Sequence, residues 1–200
     1  FLVNDRFDLW GIDPSGKKHP DNFTSGEGRK TNTKFRVMSL NPEVPYTGQE
    51  DGFLLSSFNE TTKEGGFYQI SYDDNLQLVL LEKGPFKYSN PTSAKNAGHL
   101  FSKKGKFRQF PDLWFSSEDF TGQKQISEVN PQQKNYLWGD VELVKWNLPD
   151  GKEAEGLLYK PENFDPSAKY PMLIYFYEKY SDQLHQHFVP KPSRSIISPT

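Results

Sequence analysis

The chain has 200 residues, and its 24 basic and 26 acidic side chains give a formal net charge of −2. This balance argues against nucleic acid or an anionic membrane as a partner, and the absence of cysteine excludes disulfides, thiol nucleophiles and thiolate metal sites. The longest strongly apolar run, Met172 to Tyr177, is far shorter than the roughly 20 residues of a membrane span, so we expect no membrane span.

Short strand-like runs, separated by turn clusters, follow one another through the first 150 residues, where long helical patterns are absent. Aromatic residues make up 15% of the chain, and they suit pleated, half-buried surfaces. The predicted strands are Phe7–Asp13, Phe35–Leu40, Phe53–Phe58, Phe67–Tyr72, Leu76–Leu81, Leu113–Ser116 and Lys124–Ile126. Asp73-Asp74-Asn75 has the chemistry of a hairpin turn, and Lys103-Lys104-Gly105-Lys106 that of a solvated turn.

A faint repeat runs through these strands. Phe-Asp-Leu-Trp at 7–10 recurs as Pro-Asp-Leu-Trp at 111–114, with Phe-Tyr-Gln-Ile at 67–70 between them. The intervals of 60 and 44 residues match only loosely the period of about 40–50 residues that β-propeller blades show. The repeat leaves open whether the strands form a propeller, a sandwich or an irregular sheet.

The pattern changes near residue 140. Val141–Trp146 and Ala154–Tyr159 are predicted as the two strands of a hairpin around the turn Asp150-Gly151. The run Met172–Tyr177 is continuously apolar, which is typical of a strand covered on both faces in a parallel α/β sheet. A second architecture is therefore predicted to begin at about residue 140.

Five short motifs lie between residues 130 and 178. They are Asn130-Pro131-Gln132-Gln133, Leu137-Trp138-Gly139, Val141–Trp146, Glu155–Pro161 and Lys169-Tyr170-Pro171 with the apolar run after it. Together they resemble the prolyl oligopeptidase family of serine peptidases, and most of all its bacterial members akin to dipeptidyl-peptidase IV and acylaminoacyl-peptidase.

In that family a β-propeller caps an α/β-hydrolase domain. The resemblance implies that residues 1–139 are the C-terminal blades of the propeller and that 140–200 are the incomplete N-terminal strands of the hydrolase. It implies a peptidase that hydrolyses short peptides. Because the chain begins at Phe1 rather than at methionine, we expect a fragment of a longer protein.

The resemblance implies one catalytic residue in this chain. A tyrosine at the end of the family's apolar strand donates its phenolic O–H to the tetrahedral oxyanion, and Tyr177 occupies that position, although Glu178-Lys179 follow it where the family often has small residues. The sequence contains no Gly-x-Ser-x-Gly, the motif that carries the nucleophilic serine. The triad is therefore expected beyond residue 200, and the isolated chain is expected to be inactive.

Serine chemistry needs no cofactor and no metal, so neither is expected. The implied partners are a peptide substrate, the remainder of the parent chain and, through its unpaired strands, a second copy of the fragment. A periplasmic or secreted location is predicted, with the cytoplasm as the alternative. The alternative function is a non-catalytic β-rich module that binds glycan or peptide on aromatic rings.

Other candidate sites are weak. His185-x-His187 resembles a pair of metal ligands, but no carboxylate cluster completes it, which favours a surface loop. Asp8 and Asp112 could form a carboxylate pair for glycoside hydrolysis, but their equivalent places in the repeat favour a structural role. Gly26-x-Gly28 lacks the context of a phosphate loop, and His19 and His99 are predicted to be solvated.

Overall fold

The structure is a computed structural model, and it describes residues 1–40, 52–71, 76–89 and 91–190. These residues form a mainly β protein, and every strand pairing among them is antiparallel, which confirms the expectation of a mainly β chain. The helical elements of these described ranges are short: α1 (Glu27–Thr31) and the 3-10 turns Pro131–Asn135 and Tyr180–Gln183. Within the described ranges, no helix is long and apolar enough to cross a membrane.

Three sheets follow one another along the first 125 residues. The first has the order β1-β2-β3, with β1 Leu2–Asn4, β2 Leu9–Gly11 and β3 Asp21–Asn22. The second is a meander of β4 Thr33–Met38, β5 Phe53–Asn59, β6 Gly65–Ser71 and β7 Gln77–Gly84.

The third sheet has the order β8-β10-β11-β12, and β9 also pairs with β10. Its strands are β8 Lys87–Tyr88, β9 Thr92–Ser93, β10 His99–Lys106, β11 Gln109–Ser117 and β12 Lys124–Gln125. The three segments of the faint repeat therefore lie at the next-to-last strand of the three sheets: β2, β6 and β11.

The second sheet is covered on both faces. Phe53, Leu55 and Ile70 pack with Leu9 and Phe35 in one buried cluster, which joins the second sheet to the first. Phe67 packs with Leu100 and Phe120 in another, which joins the second sheet to the third. The alternation of buried side chains along β5 and β6 thus places two cores on opposite faces of one sheet.

The predicted hairpin near residue 150 is confirmed. Strand β13 (Asp140–Asn147) pairs with β14 (Glu153–Lys160) in unbroken register from Asp140 opposite Lys160 to Asn147 opposite Glu153. Gly151 has φ +82 in the turn, a left-handed conformation that glycine adopts at little cost. The predicted turn at Asp73-Asp74-Asn75 lies outside the described residues.

Two local predictions are wrong. The run Met172–Tyr177 is not a strand but an irregular, exposed segment, because no described strand lies beside it to accept its backbone hydrogen bonds. The sequence Lys103-Lys104-Gly105-Lys106 is not a solvated turn but the end of β10, where Lys104 is buried. The turn follows at Phe107-Arg108 instead.

Candidate functional site

Tyr177 lies in solvent. The residue is 73% exposed. Its ring and that of Tyr180 meet edge to face, with a distance of 6.3 Å between the ring centroids. Tyr180 makes a second edge contact with Tyr175 at 5.5 Å. The described residues bring no nucleophile to Tyr177, so its oxyanion role stays a prediction.

A buried charge cluster surrounds Lys63, which sequence reasoning did not single out. Lys63 lies in the β5–β6 turn with φ 63, and its side chain is only 3% exposed. Its ammonium contacts Glu155 of β14 at 2.5 Å and Asp182 of the last 3-10 turn at 3.2 Å. Ser181, which is buried, donates its hydroxyl to the same Glu155 carboxylate at 2.7 Å.

This cluster stabilises the ionised form of Glu155. Burial acts to raise the pKa of Glu155, but the hydrogen bonds from Lys63 and Ser181, with the charge of Lys63, outweigh burial and lower it below the ordinary 4.5. A buried ammonium that already holds two carboxylates cannot serve as a base, since it has no free electron pair. The cluster therefore fastens the hairpin and the last turn to the second sheet rather than performing acid–base chemistry.

His185 and His187 lie beyond this cluster on the same segment, and they do not form a metal pair. The His187 Nδ1 lies 3.0 Å from the Phe107 carbonyl oxygen, whereas the backbone near His185 is that of Thr62, which acts to raise the pKa of His185. Among the described residues, no group of three or more potential metal ligands converges. Both rings are half-buried, on a segment that forms neither helix nor strand.

Asp8 and Asp112 are structural acceptors at equivalent places, as the repeat indicated. The Thr24 hydroxyl donates to Asp8 at 2.6 Å, and the Ser127 hydroxyl donates to Asp112 at 2.8 Å. Backbone N–H groups complete each site, among them Gly28 to Asp8 at 3.0 Å. Because the two carboxylates are buried and satisfied in separate sheets, they do not form a pair for glycoside hydrolysis.

The same contacts explain Gly26-x-Gly28. The backbone N–H of Gly28 faces the Asp8 carboxylate, and a Cβ on Gly28 would lie 2.8 Å from an Asp8 oxygen. The acceptor at the start of α1 is therefore a side chain of the protein itself rather than a phosphate. His19 and His99 are exposed, as predicted.

Lys104 is a second buried cation that sequence reasoning missed. Its ammonium contacts Glu82 at 2.8 Å and lies 4.0 Å from the centre of the Trp114 ring. The signal was present in the sequence, because the alternation along β10 places Lys104 on the same face as the buried Leu100. No alternation of apolar residues marks Lys63, which lies in the β5–β6 turn. It is buried because β14 and the 3-10 turn at 180–183 cover it.

Several known proteins that are similar to this chain are dipeptidyl peptidases 4. The dipeptidyl peptidase 4 of Trichophyton equinum is 26% identical over 126 residues, and the proteins of that name from Arthroderma otae and Trichophyton rubrum are 25% identical over 126 residues. Each match covers 61% of this chain and 16% of the relative. These matches support a relationship to dipeptidyl peptidase 4-like peptidases. The chain spans about 16% of the length of these dipeptidyl peptidase 4 relatives.

Solved structures add a likeness of fold. The AtxE2 isopeptidase, as a variant with Astexin3-dC4 bound, superimposes with a TM-score of 0.55 at 14% identity, over 84% of this chain and 24% of that chain. The same enzyme without ligand has a TM-score of 0.55 over 82% of this chain and 23% of that chain. No family model matches the sequence.

Proposed function

We propose that this chain is part of a serine peptidase of the dipeptidyl peptidase 4 type, which hydrolyses short peptides by acyl transfer. The observation that carries the proposal is the match to dipeptidyl peptidase 4 proteins over 126 residues. The motifs at 130–178, which resemble the prolyl oligopeptidase family, point in the same direction.

Within that protein, we assign residues 1–139 to the last blades of a β-propeller and 140–200 to the start of an α/β-hydrolase domain. Three antiparallel sheets in succession, with the second packed on both faces, support the first assignment. The continuous apolar run Met172–Tyr177 supports the second, because such a run suits a strand that is covered on both faces. A strand partner for this run would come from the remainder of the parent chain.

The proposed reaction needs a serine hydroxyl that attacks the peptide carbonyl while a histidine accepts its proton. The carbonyl oxygen then becomes an oxyanion, and we assign the Tyr177 O–H as one of its donors. A neutral phenol stabilises this charge without carrying one, and such a donor contributes about 2.7–4 kcal/mol to the transition state. The sequence holds no Gly-x-Ser-x-Gly, so we place the triad in the parent chain beyond Thr200.

The decisive experiment compares the full-length parent with the 200-residue chain on chromogenic dipeptide substrates with proline or alanine before the scissile bond. We expect dipeptide release by the parent, its loss after a serine-directed phosphonate, and no hydrolysis by the isolated chain. Phosphonate-sensitive activity of the isolated chain would refute the placement of the nucleophile. A parent that releases no dipeptide but binds oligosaccharides or peptides would favour the non-catalytic module instead.

A further inference from the structure

The segment 181–188 crosses two equivalent turns of neighbouring sheets. Thr62 lies in the turn between β5 and β6, and Phe107 lies in the turn between β10 and β11. In each sheet this turn joins the second and third strands of the spatial order. His185 lies at the first of these turns and His187, two residues later, lies at the second.

The contact with Phe107 fixes which nitrogen of His187 carries the proton in the neutral ring. A carbonyl oxygen can only accept a hydrogen bond, so the nitrogen that faces Phe107, Nδ1 of His187, must carry the proton in the neutral ring. The backbone of Thr62 likewise acts to raise the pKa of His185. The Nε2 atoms of both rings are buried and, among the described residues, make no hydrogen bond.

The surroundings disfavour a second proton on either ring. His187 stacks flat on Trp138, with centroids 4.9 Å apart and planes at 6°, and meets Phe110 edge-on at 5.3 Å. A proton on its Nε2 would place an N–H with no acceptor beside these rings. The aromatic faces attract a cation, but they accept no conventional hydrogen bond in return.

Charged groups of several elements surround His185. Glu64 of the β5–β6 turn favours the protonated ring and Lys106 of β10 opposes it. Lys63 and Asp182 line the same cavity of about 240 Å³, and Lys87 of β8 lines its other side. Because the Asp182 carboxylate already binds Lys63, it compensates that ammonium rather than a new charge on His185.

We propose that residues 181–188 form a pH-sensitive clasp, docked on the two turns while both imidazoles are neutral and released when they are protonated.

The direction of the pH effect follows from burial. Burial lowers the pKa of His185 and of His187 below the ordinary 6.5, even though the hydrogen bonds to Thr62 and Phe107 act to raise it. The released segment thus binds protons more readily than the docked one. Docking is strongest above about pH 6.5 and weakens as the pH falls from there through the lowered pKa values.

Hydrogen exchange of the 200-residue chain, read peptide by peptide and corrected for the intrinsic rate at each pH, tests the clasp. Between about pH 7.5 and pH 5.5, we expect protection of 181–188 to fall by about tenfold or more, because two protons are taken up on release. Protection of the β5 and β6 core should stay constant. Equal protection of 181–188 at both pH values would overturn the proposal.

Matched variants separate the histidines from other titrating groups. His185→Asn with His187→Asn keeps a side-chain N–H for each carbonyl but cannot titrate, so the pH dependence should disappear. His19→Asn with His99→Asn, which changes the other two histidines of the chain, should leave the pH dependence intact. If His185→Asn with His187→Asn releases the segment at every pH, NMR titration of the histidines in the unmodified chain tests the clasp instead. His185 and His187 should titrate below the ordinary pKa of 6.5, and titration of both at or above 6.5 would overturn the clasp.

Discussion

Asp8 and Asp112 bind their sheets through the same set of hydrogen bonds. Asp8 accepts from the Thr24 hydroxyl, which accepts from the backbone N–H of Leu9. Asp112 accepts from the Ser127 hydroxyl, which accepts from the backbone N–H of Leu113. Both hydroxyls lie two residues after a strand, β3 and β12 respectively. Leu9 and Leu113 then accept backbone N–H groups from Phe23 and Ile126. The short motif Asp-Leu-Trp therefore marks a repeated structural unit rather than a chance recurrence of letters.

Asp8→Ala should lower the free energy of unfolding by about 2–4 kcal/mol, because the Thr24 hydroxyl and the N–H groups of Gly28 and Arg29 lose a buried acceptor. Urea unfolding followed by circular dichroism measures the change. Asp119→Ala is the matched control, since Asp119 accepts two bonds from Thr121 but is exposed. Equal effects at the two positions would contradict the structural role of Asp8.

Lys63→Met should detach the hairpin and the last 3-10 turn from the second sheet. The substitution keeps most of the side-chain volume but leaves Glu155 and Asp182 without their shared cation, and we expect a loss of about 2–4 kcal/mol. Lys152→Met provides the control, because its ion pair with Asp150 is 79% exposed on the lysine side. Hydrogen exchange should increase in β14 for the first variant and stay unchanged for the second.

Tyr177→Phe in the full-length parent tests the proposed oxyanion donor. The substitution removes one oxygen and little volume from an exposed ring, so the fold should survive. We expect kcat to fall by about a hundredfold or more with KM little changed, because the bond forms mainly in the transition state. A kcat within a factor of about two of the unmodified enzyme would make Tyr177 a structural residue, and a raised KM with kcat intact would make it a ground-state binding residue.

The exposed run Met172–Tyr177 should make the isolated chain self-associate. Leu173 and Ile174 are each more than 70% exposed, and consecutive apolar side chains in water favour association. Light scattering should show oligomers that Leu173→Ser with Ile174→Ser reduces. Val129→Ser, at a single exposed apolar residue, should leave the oligomers unchanged. A strictly monomeric chain with this run ordered and exposed would contradict the prediction.

The sequence by itself determined the parts of this protein that depend on neighbouring residues. Alternating apolar residues and turn residues predicted strands close to β4, β5 and β6, and they located the β13–β14 hairpin to within one residue at each end of β13. The repeat around Asp8 and Asp112 predicted structural carboxylates, because the same local motif makes the same local bonds.

Tertiary structure alone decided the burial of Lys63 and the docking of His185 and His187. Their partners, Glu155, Asp182, Thr62 and Phe107, come from distant parts of the chain, so no local pattern of sequence records which of them meet. The conformation of Met172–Tyr177 also depends on tertiary structure. Its residues favour a strand, but a strand forms only where a second backbone supplies the hydrogen bonds.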